Sequence, residues 1–87
     1  MELAGQLKEV FDTYVVSEKF KKREFVVTTG YDTQYPQDII LQVVNERCDS
    51  LDNLIPGMKV TVQFNIRGRK HTDRYFNTLE VWRIELK

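Results

Sequence analysis

The sequence predicts an all-β fold, a five-stranded barrel with one short helix between strands three and four. Three observations carry that reading. Apolar and polar residues alternate with period two through several runs, most cleanly over Met58–Arg67, as half-buried strands require. The period turns helical only once, between Asn45 and Gly57. The first and last runs each change apolar phase along their length, which suits strands that bend around a barrel corner.

The first run, Glu2 to Val16, places apolar residues at Leu3 and Leu7, then Val10, then Tyr14 and Val16. The shift after Leu7, with Gly5 nearby, reads as one long strand bent by a bulge and able to serve two sheets. EFVVTT (Glu24–Thr29) is β-branched and aromatic, and GYDTQYP supplies turn chemistry through Gly30, Asp32 and Pro36. It forms a hairpin with DIILQVV (Asp38–Val44). NERCDSLDNLIPG then offers Asn45 as a cap, sets Cys48, Leu51 and Leu54 or Ile55 at helical spacing, and stops at Pro56 and Gly57. In MKVTVQFNIRG, Met58, Val60, Val62, Phe64 and Ile66 share one face of a strand. The last run, RYFNTLEVWRIELK, is also extended, with Leu79 and Val81 in one phase and Trp82, Ile84 and Leu86 in the other.

Three strands, a helix and two strands is the order of the OB-fold, a Greek-key barrel. At 87 residues the chain suits a single domain, residues 1–87, and a chain of this size buries only about 60–65% of its unfolded surface. Hydrophobic residues at 41% suffice for a thin packed core, and 30% charged residues of balanced sign exclude a disordered acidic or basic tail. Self-association would help such a core, and apolar residues on both phases of strands three and five leave surface for it.

Cys48 is the only cysteine, so an intramolecular disulfide and a cysteine-cluster metal site are excluded, and a reducing cytoplasm fits best. On the apolar face of the helix it reads as a small buried hydrophobe. No apolar run approaches the roughly 20 residues of a membrane helix, and MELAGQLKEV has no signal-peptide core. His71 is the single histidine and lacks companions for a metal site. It reads as an exposed loop residue or a phosphate or base contact. Glu46, Asp49 and Asp52, three apart, read as a solvated helix face that keeps polyanions off that side. No cofactor is implied. No nucleophile with a base and no paired carboxylates beside the positive charge can be assembled, which argues against an enzyme such as a small nuclease.

The positive charge is not scattered. Of thirteen Lys and Arg residues, four fall in KFKKR (Lys19, Lys21, Lys22, Arg23) and four in RGRKHTDR (Arg67, Arg69, Lys70, Arg74), although net charge is zero. A basic run between strands is also an ordinary solvated loop. These two, however, occupy the loops between OB-fold strands one and two and strands four and five, which flank that fold's ligand face. Phosphates want mobile cations and bases want flat partners. Phe20, Tyr31, Tyr35, Tyr75, Phe76 and Trp82 are the rings available, with Phe20 and Tyr75 preferred because they sit in or beside the basic stretches. For Trp82 the phase leaves groove, core past a bulge, or subunit contact open.

NLIPGMKVTVQFNIRGRKHTDRYFNTLEVWRIE resembles the second half of a bacterial single-stranded DNA-binding protein. ELAGQLKEVF, KKREFVVTT, QYPQDI, IPGMKVTVQFNIRGR and EVWRIE together resemble a small uncharacterised prokaryotic and phage OB-fold family, a domain of unknown function related to those proteins. The resemblance implies a non-enzymatic, sequence-nonspecific binder of single-stranded DNA, with RNA left open, working as a homo-oligomer of two or four chains. It leaves replication or repair proteins open as partners. The glycine-rich acidic tail by which many single-strand binders recruit partners is not seen, so recruitment by such a tail is not expected. The expected binding residues are Lys19, Phe20, Lys21, Lys22, Arg23, Arg67, Arg69, Lys70, His71, Arg74, Tyr75 and Trp82. The alternative is an OB-fold protein-interaction or assembly module that binds no nucleic acid.

Overall fold

The computed structural model describes residues 1–86, so Lys87, the last residue of the expected final strand, lies outside them. Among the described residues six strands form: β1 (Glu2–Val10), β2 (Tyr14–Ser17), β3 (Phe20–Thr29), β4 (Gln37–Val44), β5 (Lys59–His71) and β6 (Arg74–Leu86), with one 3₁₀ helix (Asn45–Leu51) between β4 and β5. The sheet runs β1-β5-β6-β4-β3-β2, and β1 also pairs with β3. The second pairing closes β1, β5, β6, β4 and β3 into the ring of an OB-fold, with β2 added outside it on β3. The β4–β6 junction is its seam, a parallel pairing of Gln42 with Glu80.

The first run departs from expectation by splitting in two. β1 pairs with β5 through Gln6 and with β3 from Gln6 onward, bulging between Leu7 and Glu9, so it does serve two neighbours. Gly5 is required where β1 crosses β3, since a Cβ there would lie 2.5 Å from the Thr28 carbonyl oxygen. The ladder then stops at Phe11. Its amide donates to the Glu24 carbonyl (3.0 Å), but its own carbonyl accepts from the Arg23 guanidinium (2.7 Å) instead of a backbone amide. Pairing resumes only at Tyr14.

The helix also differs. Asn45 does not cap it: its φ of 53° is left-handed, a conformation asparagine tolerates better than most residues, and its Oδ1 accepts from the Lys21 amide (3.2 Å). At three residues per turn, positions three apart align, giving the helix three faces. Cys48 and Leu51 are buried, and Leu54, rather than exposed Ile55, packs against the core. Arg47, Ser50 and Asn53 line a groove beside β6. Glu46, Asp49 and Asp52 are all exposed, as the spacing suggested, and two of them are also partnered, Asp49 with Lys21 and Asp52 with Arg23, so the solvated acidic face doubles as counter-charge to the start of β3. Among the described residues, no helix is long and apolar enough to cross a membrane.

Strand alternation fills the core: Phe25 and Val27 from β3, Leu41 and Val43 from β4, Val60, Val62 and Phe64 from β5, with Leu7 and Val81. Ile66, assigned to the same face, is exposed because β5 has by then left the barrel. The phase change in β6 is a bulge. Gln63 pairs with Arg83 but Phe64 with Val81, so Trp82 is the extra residue, and inward positions shift from Leu79 and Val81 to Ile84.

Candidate nucleic-acid interface

Neither basic stretch is a loop. Phe20 to Arg23 begin β3, with Glu18 and Lys19 turning the β2–β3 hairpin, and Arg67 to His71 end β5, with Thr72 and Asp73 turning the β5–β6 hairpin. In a strand, neighbouring residues face opposite ways, so each stretch divides its charge between two faces.

In β3, Lys21 and Arg23 share the phase of buried Phe25 and turn toward the helix. Lys21 Nζ lies 3.7 Å from Asp49 Oδ1. Arg23, its side chain only 15% exposed, pairs with Asp52 and donates to the carbonyls of Phe11 and Cys48 (3.2 Å). Phe20 and Lys22 take the other face. In β5, Arg67 and Arg69 are paired across the ribbon with Thr78 and Phe76, which places all four on one side. These two sides meet: Phe20, Lys22, Arg67, Arg69 and Phe76 line one groove with Gln42 at the β4–β6 seam. Arg67 Nε donates to Glu80 Oε2 (2.9 Å) in its wall. Among the described residues, Lys22, Arg69 and Arg74 enter no ion pair.

The remaining expected residues lie around this groove. Lys19 lines a neighbouring hollow with Val15 and Glu46. Lys70 shares the opposite side of the ribbon with its partner Tyr75, its Nζ 5.8 Å from the ring centroid, within cation–π range. His71 and Arg74 pair at the exposed ribbon end. Of the two preferred rings, Phe20 is in the groove and Tyr75, 75% exposed, is not among the residues lining it. Its neighbour Phe76 is there instead. Trp82, 45% exposed, lies in the separate groove beside the helix, where Arg47 Nε donates to its carbonyl (3.1 Å).

Gln42, Asn77 and Thr78 were missed by the sequence reading. The signal was present in part: placing a two-residue turn at Thr72–Asp73 pairs Arg69 with Phe76 by arithmetic alone. Gln42 carried none, because its place depends on where β6 crosses β4. Among the described residues no cluster of three His, Cys, Asp or Glu side chains could hold a metal ion. Burial pushes the Cys48 thiol above its usual pKa, which makes it a poor nucleophile.

The model of a domain of unknown function (DUF3127) matches residues 2–85, and the chain belongs to that family. No curated protein matches it in sequence. Among solved structures, it is similar to the dimeric N-terminal domain of PriB from Thermoanaerobacter tencongensis, at TM-score 0.74 and 14% identity over 100% of this chain and 93% of that one. It is also similar to the mitochondrial single-stranded DNA-binding protein Rim1 of S. cerevisiae (0.69, 16%, 99% and 91%) and to a small single-stranded DNA-binding protein of Streptomyces coelicolor (0.60, 11%, 100% and 92%). Identities this low speak to the fold alone.

Proposed function

We propose that this DUF3127 chain, acting as one domain, binds single-stranded DNA without catalysis, through the groove between its two basic hairpins. One observation carries the reading: Phe20 and Lys22 from one hairpin and Arg67, Arg69 and Phe76 from the other line the same groove. Lys22, Arg69 and Arg74 supply charge to phosphates and release condensed counterions. Phe20 and Phe76 supply stacking faces, each contributing about 1–3 kcal/mol per base. Lys19, Lys70, His71 and Tyr75 extend the same chemistry along the strand's approach. The likeness in fold to proteins named as single-stranded DNA-binding adds support.

The test is fluorescence anisotropy of a labelled mixed-sequence single strand over a salt series. Wild type should weaken steeply as salt rises. A Lys22/Arg69/Arg74 charge-removal variant should bind at least about tenfold more weakly, with a salt slope smaller by about 2, at roughly 0.7 per lost phosphate contact. Equal, weak binding by both would sink the proposal.

A second reading, an assembly module, is favoured by the Trp82 groove, where Trp82 and Leu86 are exposed beside half-buried Leu54 and Ile84. Exposed aromatic and aliphatic anchors of this kind mark protein contacts. The two readings are compatible in a homo-oligomer, and β2, paired on one side only, offers a free strand edge. Sedimentation as a strict monomer at micromolar concentration would remove self-association.

A further inference from the structure

The basic groove does not end at the seam. A second trough adjoins it, and Gln42, Asn77 and Thr78 line both. Its chemistry is opposite. Glu24 and Asp38 replace the cations, and Ile39, Ile40 and Leu79 provide apolar walls. With no cation in its lining, such a place does not attract phosphates, yet its volume of about 380 Å³ falls in the range of roughly 300–1,000 Å³ typical of small-molecule sites. The two adjoining hollows thus differ, one suited to a polyanionic backbone and the other to an uncharged ring with hydrogen-bond donors.

Its two carboxylates are not equivalent. Asp38 is occupied, accepting from Lys8 (2.7 Å) and Thr28 (2.8 Å), and these bonds hold its carboxyl below the usual pKa. Glu24 receives no side-chain hydrogen bond and no ion pair among the described residues. It stands directly across from Gln42 in the β3–β4 ladder, and Gln42 in turn pairs with Glu80 across the seam. An acceptor-only carboxylate therefore sits beside a primary amide that can donate.

Resting on the groove reading above, we propose that this second trough seats one nucleobase of the bound strand and that Glu24 accepts a hydrogen bond from its exocyclic amino group. The protein then prefers an amino-bearing base to uracil or thymine at that position. Cytosine fits the pattern: its N4 amino group donates to Glu24, while N3 and O2 accept from the amides of Gln42 and Asn77. Uracil turns its O4 acceptor toward the carboxylate, so two acceptors meet with no proton between them, and the mismatch discriminates as effectively as the good contact.

The test compares oligo(dC) with oligo(dU) of equal length at pH 7.5 and one fixed salt concentration, since the two differ at the base edge and not in backbone charge. Wild type should bind oligo(dC) about tenfold more tightly, toward the lower end of what one well-made base contact discriminates. In Glu24→Gln, whose amide can donate to O4, the ratio should close to within about twofold, with the fold checked by circular dichroism. Glu85→Gln, an exposed carboxylate paired with Arg83 that lines neither trough, should leave the ratio unchanged. Equal wild-type affinity for the two oligomers, or a ratio that survives Glu24→Gln, overturns the seat while leaving the groove reading intact. Failure of wild type to bind either oligomer at low salt overturns both.

Discussion

The basic stretches of the β2–β3 and β5–β6 hairpins each carry four cations, yet the hairpins are built differently. The first is tied to the body: Lys21 and Arg23 are paired with the helix acids Asp49 and Asp52, and residues 21–24 are half-buried. The second stands away from it: every residue from Asn65 to Asn77 is exposed, and of its basic residues only Arg67 is ion-paired among the described residues. One hairpin spends charge on holding the barrel together; the other keeps charge available for a ligand. Counting basic residues would have scored them as equal.

The largest effect separating them is on stability. Arg23→Met retains an apolar stem but removes a guanidinium that satisfies the carbonyls of Phe11 and Cys48 and neutralises Asp52. Losing charged hydrogen bonds in a mostly buried setting should destabilise the fold by about 2–3 kcal/mol, read from the urea midpoint at constant m. Arg69→Met, on the free ribbon, should change stability by no more than about 0.5 kcal/mol. Comparable losses in the two variants would erase the distinction between a structural and a free hairpin.

In binding the order should reverse. Arg69→Met should lower the salt slope of single-strand binding by about 0.7, one phosphate contact. Lys21→Met should lower it by about 0.3 or less, because Asp49 already compensates that charge 3.7 Å away. A Lys21 effect as large as that of Arg69 would mean that the strand displaces Asp49, and that the first hairpin releases its charge on binding.

How much of this was legible in the sequence follows from what each feature depends on. The later strands, the single helical interruption and the phase change that Trp82 creates in β6 rest on local alternation and were readable, whereas the break that splits the first run into β1 and β2 was not, because the Arg23 guanidinium, distant in sequence, takes the Phe11 carbonyl. The position of the basic stretches relative to the fold was readable too. The division of each stretch between two faces was readable in principle, but treating Lys19–Arg23 and Arg67–Arg74 as loops discarded the alternation that would have shown it. The pairing of Asp49 with Lys21 and Asp52 with Arg23 was not readable, because it needs the helix to lie against the start of β3 across more than 25 residues of chain. The same holds for the trough at Gln42, which exists only where β6 meets β4.

The smallest effect concerns the turns. The free ribbon is closed by Thr72, which holds a φ of 58°, a left-handed conformation that is unfavourable for a β-branched residue by about 1 kcal/mol. The tethered hairpin turns through Glu18 and Lys19, neither at positive φ. Thr72→Asn keeps a polar side chain and tolerates the left-handed region, so it should stabilise by about 0.5 kcal/mol, or about 2–4 °C in Tm for a domain of this size. The informative measurement is its effect on affinity. A two-stranded ribbon without a packed face is marginal by itself, but this one continues two strands of the barrel through an unbroken register from Phe64–Val81 to His71–Arg74. If that continuity already holds the ribbon in its bound shape, Thr72→Asn changes affinity by less than about twofold. An affinity gain larger than its stability gain would show instead that the free ribbon frays and must be ordered by its ligand, at the entropic cost that preorganisation removes.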